Sequence, residues 1–311
     1  MWRLTGRWQK LDGALAQLER EREEEAKRKK VEEEALAKQK AEEEEARRQR
    51  EAELEKEREE AAIANERANR MRSATTDMLA AVTVGELHQL FSQAQRISPS
   101  VYHFMLNFFA KSVVKQAETE VRVKLSSAFP LARMCVALFI QHPPLIKLMV
   151  GRLMKNCPYL IPQYIVRQPG QSDEAYRKVL GYASNDEEPE QYKERMCGIV
   201  ALYAAIVQTA PSGGAANPYG MMYGWRWLAC ILNRPAHTIT PMLINTFLEI
   251  AGPALLDVYG GQARKLLQFI IGDYMARLSA KSPAANSRLQ SFLEAYMASG
   301  QIKELPGRQY A

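Results

Sequence analysis

A long run of charged residues near the N terminus limits what this chain can fold into. Between Glu19 and Glu60, 31 of 42 residues are charged, 18 of them Glu and 13 Lys or Arg. A segment that is polar on every side has no apolar face to bury, so it cannot join a core. No proline occurs between Leu11 and Arg72, and Glu repeatedly precedes Lys or Arg by four positions, as in Glu44 and Arg48. This pattern predicts one continuous helix.

Whether this helix pairs with another depends on its apolar positions. A coiled coil needs apolar residues at positions a and d over three or four heptads. Between Glu19 and Glu60 the large apolar residues are Val31, Leu36 and Leu54, which fill no seam. An oligomerising coiled-coil arm and a single solvated spacer helix both stay open, and the residues favour the spacer. We assign residues 1–72 to a charged helical arm and residues 73–311 to a helical domain.

The rest of the chain has the composition of a basic globular protein. The whole chain carries a formal net charge of +6 and the segment Glu19–Glu60 carries −5, so the remainder carries +11. Its four cysteines stand singly in apolar surroundings, as in Met134-Cys135-Val136, which indicates buried thiols and no metal site. No signal peptide is recognisable at the start, and the longest uncharged run, from Met196 to Trp225, is strongly apolar for only about half its length, too short for a membrane span. We therefore expect a soluble intracellular protein without disulfides.

After Arg72 the pattern changes to amphipathic helices separated by Pro, Ser and Gly. We predict helices near 74–95, 99–126, 128–141, 143–156, 173–182, 189–209, 223–233, 240–258, 261–280 and 284–299. Ser98 followed by Pro99 has the form of a helix start. No segment alternates like a strand. The predicted fold is all-α, a long charged helix followed by a HEAT/MIF4G-like α-solenoid.

Nothing in the sequence supports catalysis. The nucleophile-elbow, Walker A, dinucleotide-binding and zinc-protease motifs are all missing. The acidic cluster from Asp186 to Glu190 is interpreted as a solvated turn that caps the next helix. The aromatic cluster Tyr102, Phe104, Phe108 and Phe109 is interpreted as core packing. Of Trp225 and Trp227, which flank Arg226, one should be buried and the other should cover a neighbour. We expect no enzyme activity, no catalytic residue and no bound metal.

Basic residues form the most informative pattern. Lys111, Lys115 and Arg122 share one face of the predicted 99–126 helix, and Arg152 and Lys155 share one face of the next basic helix. Lys178 and Arg195 follow in later helices and could complete a cluster, although their spacing does not place them there. Cations gathered without matching carboxylates attract a polyanion. A compact polyphosphate, a single strand of RNA and an ordinary solvated surface all remain open.

Several stretches together resemble one family. They are Cys157-Pro158-Tyr159-Leu160-Ile161-Pro162, the run from Tyr192 to Tyr203, Gly224-Trp225-Arg226-Trp227-Leu228-Ala229, and Phe247-Leu248-Glu249-Ile250-Ala251-Gly252 continuing to Tyr259. In this order, after a helix rich in Glu, Lys and Arg, they resemble the C-terminal domain of the GLFG-lethal family of mRNA-export mediators, preceded by the end of its central coiled coil. The resemblance covers about residues 75–305 and is closest to fungal members without their N-terminal regions.

The resemblance implies a non-catalytic helical domain at the cytoplasmic face of the nuclear pore complex and in the cytoplasm. Members of the family bind and stimulate a DEAD-box RNA-dependent ATPase, with inositol hexakisphosphate as the tether in fungi. They also dock a segment of an FG nucleoporin and act with translation factors. We expect no membrane contact and no direct binding of nucleic acid, although a basic α-solenoid that binds RNA directly remains the alternative function.

The resemblance also assigns the polyphosphate site. When the family's site is carried over residue by residue, the pocket consists of Lys111, Lys115, Arg152, Lys155, Lys178 and Arg195. We expect the side chains of Arg152 and Lys155 to be exposed. Asn156 stands where some members have a second lysine, which lowers the positive charge of the site. A cation is also expected from the first helix, and Arg67 or Arg70 matches it only loosely. For the nucleoporin segment, the stretch Ala215–Tyr223 and the 240–299 helices are the candidate surfaces.

Overall fold

A computed structural model describes residues 38, 43–45, 47–53, 55, 83–161, 163–278 and 282–308. The chain divides into two units, Met1–Ser73 and Ala74–Ala311. In the first unit every described residue is helical and exposed. The Arg48 guanidinium donates to Glu44 at 2.9 Å, which is the predicted pairing, whereas Arg47 pairs with Glu51 at 3.5 Å. Most of the predicted arm, including Arg67 and Arg70, lies outside the described residues.

The described part of the second unit is built from α-helices and contains no strand, which confirms the predicted all-α class. Its first five helices are α1 (Val84–Ile97), α2 (Pro99–Gln116), α3 (Ala128–Gln141), α4 (Pro144–Asn156) and α5 (Asp173–Leu180). The next five are α6 (Pro189–Gln208), α7 (Met221–Leu232), α8 (Thr240–Tyr259), α9 (Gly261–Phe269) and α10 (Pro283–Ser299). A HEAT/MIF4G-like solenoid repeat within this set stays a prediction.

Local capping residues explain where the first helices begin. The side chain of Thr83 accepts the Glu86 N–H while the Glu86 carboxylate accepts the Thr83 N–H, a complete capping box at the start of α1. Ser98 adopts an extended conformation, ends α1 and caps α2 through the Ser100 N–H, with Pro99 in the first turn. This is the helix start that the sequence predicts.

Helix α6 is the centre of the core. It packs against α3, α4, α7 and α8, and every residue from Arg195 to Val207 is buried. Helix α8 is its main neighbour and is apolar and long enough to cross a membrane. However, 67% of its most apolar window is buried inside the fold, which is the pattern of a core helix. The cysteines behave as predicted, since Cys135, Cys157 and Cys197 are buried free thiols and Cys230 is partly buried.

Two long helices of the prediction are interrupted. The 99–126 helix ends at Gln116 and continues as a π-helical turn, Ala117–Val121, followed by the short 3₁₀ segment Leu125–Ser127. The 261–280 helix likewise changes to a π-helical turn at Ile270–Tyr274. A π turn inserts an extra residue into the helical repeat, so residues beyond it rotate away from the face that 3.6-residue periodicity assigns to them.

The aromatic predictions are partly correct. Trp227 is buried and Trp225 packs on Tyr259 with ring centroids 4.5 Å apart, as expected for one buried and one covering residue. Tyr102 and Phe109 are core residues. Phe104 is not, because 56% of it is exposed.

Candidate functional site

The predicted basic face is built on α2 and α4, which pack against each other. One clamp between the two helices is the Arg152 guanidinium, whose Nε and one terminal nitrogen both donate to Asn107 Oδ1, at 3.0 and 2.9 Å. The double contact fixes the planar guanidinium in one orientation. Arg152 is therefore only partly exposed, contrary to the expected full exposure.

A second clamp joins the far ends of the same helices. Glu118, in the π turn after α2, accepts a hydrogen bond from Asn156 Nδ2 at the end of α4, at 2.9 Å. Arg195 Nη1 of α6 lies 3.7 Å from the same oxygen, Oε1, and the other oxygen accepts from Lys115 Nζ at 3.3 Å. The Glu118 side chain is only 11% exposed. One nearly buried carboxylate thus brings together the basic parts of α2, α4 and α6.

The lysines of this face remain available for a ligand. The side chains of Lys111 and Lys155 are exposed and form no ion pair or hydrogen bond with any described residue. Lys115 is 63% exposed, and Glu118 is the one partner of its side chain among the described residues. Because the lysine end of this pair is exposed to solvent and Glu118 keeps Asn156 as a partner, the Lys115 contact contributes little to stability. Lys115 can therefore exchange Glu118 for a more highly charged ligand at small cost.

Arg195 has a different environment from the lysines. It is 8% exposed, its Nε and one terminal nitrogen each donate to Glu187 at 2.7 Å, and it also donates to the Gly181 carbonyl at 2.8 Å. Burial alone would lower the pKa of Arg195, but the hydrogen bonds and charge of Glu187, and then the charge of Glu118, raise it. Burial raises the pKa of the Glu187 carboxyl, but the Arg195 and Ala183 donors outweigh it and leave that pKa below 4.5. The pair is ionised at neutral pH, and Arg195 ties α6 to the end of α5.

Lys178 projects from the short helix α5. Its side chain is exposed, has no partner among the described residues, and lines an open depression of about 510 Å³ with Glu174, Tyr182 and Asn185. Arg195 bonds to the carbonyl of Gly181, the residue that follows α5, and it also lies beside Glu118. It therefore connects α5 to the carboxylate that joins α2 and α4. The assignment of Lys178 to a polyphosphate site stays a prediction.

The sequence predicted that Arg122 shares one helix face with Lys111 and Lys115, and this prediction is wrong. The Arg122 N–H bonds to the Ala117 carbonyl five residues earlier, and this π-type bond rotates its side chain away from the α2 face. Arg122 instead lines a separate depression with Glu194, Asn245 and Arg288. The cause is helix α6: a Cβ atom on Gly198 would lie 2.4 Å from the Ala117 carbonyl oxygen, so the turn and α6 are in direct backbone contact.

The residues that organise the site are ones that the sequence pattern did not identify. Asn107 and Glu118 are polar positions on α2 and its π turn with no special spacing. Glu187 belongs to the acidic cluster interpreted as a solvated turn; that interpretation is wrong for Glu187, whose side chain is 10% exposed and paired with Arg195. The expectation that this cluster caps the next helix is also wrong, because Glu188, at the N-cap position before α6, forms no capping hydrogen bond with its side chain.

A comparison with protein families assigns this domain. The model of the family described as GLE1-like protein matches residues 33–271, which is more than half of the chain. The chain belongs to the GLE1-like protein family. This confirms the family resemblance carried by the motifs from Cys157 to Tyr259.

Individual GLE1 relatives support the assignment. The chain is 36% identical to the mRNA export factor GLE1 of Mus musculus over 221 residues, covering 68% of this chain and 31% of the relative. It is 39% identical to the Schizosaccharomyces pombe factor over 196 residues, covering 58% of the chain and 38% of the relative. For the Saccharomyces cerevisiae factor the identity is 35% over 224 residues, covering 68% and 40%. The chain thus spans well under half of the length of these relatives.

A solved GLE1 complex has a similar fold. It contains the C-terminal domain of a Saccharomyces cerevisiae Dbp5 variant bound to Gle1 and IP6. The match has a TM-score of 0.65 and 29% sequence identity, and it covers 77% of this chain and 86% of the matched chain. A second solved complex, in which the Gle1 chain carries a substitution, matches with the same TM-score.

Proposed function

We propose that this chain is a non-catalytic mRNA export factor that binds and stimulates a DEAD-box RNA-dependent ATPase, with inositol hexakisphosphate (IP6) as the bridge between them. The proposal is supported by GLE1 relatives named mRNA export factors and by solved complexes that hold Gle1, Dbp5 and IP6 together. The observation that carries it for this chain is the exposed cationic surface of α2 and α4, where Lys111 and Lys155 have no carboxylate partner among the described residues.

The chemistry of this surface suits a dense polyanion. Phosphate oxygens form charge-assisted hydrogen bonds with ammonium and guanidinium donors, roughly twice as strong as neutral ones. Arg152 and Asn156 clamp α4 to α2, so the lysines are presented on a fixed frame and little order is lost on binding. Lys111, Lys115 and Lys155 are the direct ligands in this proposal. Arg152 keeps one terminal nitrogen free of Asn107 and can bind as well.

Arg195 takes a supporting part in the proposed site. Its two bonds to Glu187 and its bond to Gly181 occupy the guanidinium, which is nearly buried. It therefore holds α5 beside α6 and so sets the position of Lys178. Lys178 is the outer ligand from α5. The six predicted site residues then divide into five ligands and one buried support.

Charge explains how such a site acts between two proteins. IP6 has more phosphate groups than one exposed face can surround, so the outward phosphates remain for cations of a second protein. Binding of the ATPase through this bridge would hold its two RecA-like lobes in a fixed separation and speed the release of RNA and product. This is regulation by binding, and it requires no catalytic residue of the GLE1-like chain.

The remaining parts of the proposal concern place and further partners. The factor would act at the cytoplasmic face of the nuclear pore complex and in the cytoplasm. It would also dock a segment of an FG nucleoporin and act together with translation factors. The stretch Ala215–Tyr223 and the helices α8 to α10 are the candidate nucleoporin surfaces. Residues 1–72 would form a helical arm separate from the 73–311 domain.

The test is a steady-state ATPase assay of the DEAD-box partner with RNA. The chain should raise turnover, and IP6 should raise it further at limiting concentrations of the chain. The chain alone should hydrolyse no ATP. No stimulation at any IP6 concentration would contradict the proposal. Tight binding of single-stranded RNA by the chain alone, with a site size that depends on strand length, would support direct RNA binding instead.

A further inference from the structure

One line of side chains on α2 joins an apolar surface to the cationic one. Val101, Phe104, Phe108, Lys111 and Lys115 follow one another at spacings of three, four, three and four residues, which places them on a single stripe of the helix. The stripe is apolar in its first half and cationic in its second half. Phe108 and Phe104 precede Lys111 by about 4.5 and about 10 Å along the helix axis.

The apolar half of this stripe is exposed. Phe104 is 56% exposed and Val101 is 38% exposed. Phe108 is partly buried, and its ring lies nearly parallel to that of Phe104, 15° apart with centroids separated by 6.3 Å. Neither ring contacts another aromatic side chain among the described residues. An exposed aromatic pair beside charged residues is typical of an interaction surface.

We propose that Val101, Phe104 and Phe108 are the direct protein contact that accompanies the IP6 bridge, and that they pack on a surface of the DEAD-box ATPase with an apolar centre. This inference rests on the proposed function. A small tether at Lys111 and Lys115 brings the tethered protein against the residues on either side of it. A specific interface covers about 800 Å² per partner, far more than one small ligand shields. The exposed part of the stripe next to the lysines is therefore inside the interface.

The order of residues along the stripe favours a protein over a nucleic acid. A protein surface that binds single-stranded nucleic acid interleaves aromatic residues with cations, because each base stacks on an aromatic ring while a cation neutralises the neighbouring phosphate. Here the aromatic residues and the lysines form two separate blocks. Two blocks fit a folded partner that presents an apolar patch beside its own polyphosphate-binding cations. Aromatic residues at the centre of such interfaces supply much of the affinity.

The experiment uses the full chain, two variants of the stripe and one control variant. Phe104→Ser and Val101→Ser remove the most exposed apolar groups of the stripe. Val166→Ser is the matched control because Val166 is 58% exposed in the loop between α4 and α5. Calorimetry measures IP6 binding to each chain alone, and a titration with IP6 at saturation measures binding of the ATPase. Phe104→Ser should weaken ATPase binding at least tenfold and Val101→Ser by a smaller factor. Neither should change the IP6 affinity of the free chain, and Val166→Ser should change neither affinity.

Each other outcome decides against the inference. Unchanged ATPase affinity in both stripe variants would overturn it. A lower melting temperature of the free Phe104→Ser chain without weaker ATPase binding would show that the chain covers the stripe with its own residues. A selective loss of single-stranded RNA binding would assign the stripe to RNA. If the unmodified chain bound no ATPase with or without IP6, the proposed function itself would fail, which is a separate result.

Discussion

The carboxylate of Glu118 accepts a hydrogen bond from the side-chain amide of Asn156 at 2.9 Å, joining the end of α2 to the end of α4. The same carboxylate holds Lys115 and faces Arg195. By the family resemblance, Asn156 stands at a position where some members have a lysine. In this chain the amide keeps the clamp to Glu118 without adding charge, so the cationic character of the site depends on the lysines around it.

Glu118 lies among the cations of the proposed polyphosphate site, where its negative charge would oppose a bound polyanion. Replacing it with Gln keeps an acceptor for Asn156 but removes one negative charge and releases Lys115. We expect Glu118→Gln to tighten IP6 binding about threefold to tenfold at low salt, the size expected for one nearby surface charge. Calorimetry at two salt concentrations checks this, with Asp273→Asn on an exposed turn as the control. Unchanged or weaker binding would show that Glu118 does not face the ligand.

The buried pair of Arg195 and Glu187 should be a stability element. Arg195→Met leaves the Glu187 carboxylate buried without its partner, and breaking a buried pair in this way costs about 3–5 kcal/mol of unfolding free energy. The double variant Arg195→Met with Glu187→Gln should lose less, because no buried charge remains. Urea denaturation of the two single variants and the double variant measures the coupling. A single variant as stable as the original chain would rule out this role.

Gly198 should be irreplaceable in α6. A Cβ atom there would lie 2.4 Å from the Ala117 carbonyl oxygen and 2.9 Å from the Arg122 nitrogen. Because both neighbours are backbone atoms, Gly198→Ala should destabilise the chain by about 1–3 kcal/mol or more. Gly151→Ala on α4 is the control, since nothing lies within 4 Å of a Cβ atom there. That variant should be neutral or slightly more stable, because alanine favours a helix over glycine. Equal melting temperatures of the two variants would contradict the close contact.

A histidine pair should make stability depend on pH. His88 Nδ1 lies 3.1 Å from His142 Nε2, and Tyr102 bonds to the other nitrogen of His142 at 3.0 Å. Burial, and then the charge of His88, lowers the pKa of His142 below 6.5. The unfolded chain therefore binds this proton more readily, and stability that is complete above pH 6.5 is lost as the pH falls below it.

To test the histidine pair, the pH dependence of unfolding is measured for the original chain and for the His142→Gln variant. The free energy of unfolding of the original chain should fall between pH 7.5 and pH 5.5, and that of the variant should fall less. The Glu187 carboxyl does not interfere in this range, because its pKa lies below 4.5. Equal slopes for the two proteins would remove His142 as the source of the pH dependence.

Most of the fold could be predicted from the sequence, because its signals are local. Amphipathic periodicity and N-terminal Ser and Pro residues predicted both ends of α3 to α8 and of α10 within a few residues. The π turn after Gln116 could not be predicted, because it follows from contact with Gly198, which is distant in the sequence. That turn is also why Arg122 leaves the predicted face while Lys111 and Lys115 keep it.

The site could be predicted only in part. Helical spacing identified Lys111, Lys115, Arg152 and Lys155, whereas Lys178 and Arg195 came from the family resemblance. The partners of these cations, Asn107, Glu118 and Glu187, carry no signal in the sequence, because their role depends on which helices meet in the folded chain. For the same reason, spacing did not show that Arg195 is buried while the lysines are exposed.

The most direct test of the account is an IP6 titration of ATPase stimulation for three forms of the chain. The double variant Lys111→Gln with Lys155→Gln removes two cations of the proposed site that have no partner among the described residues. Lys265→Gln with Lys303→Gln is a control of equal charge change on exposed residues elsewhere. The account predicts that the first variant needs at least tenfold more IP6 for half-maximal stimulation and melts at the same temperature as the original chain. The control should respond as the original chain does. The same IP6 midpoint in all three proteins would contradict a polyphosphate site on α2 and α4.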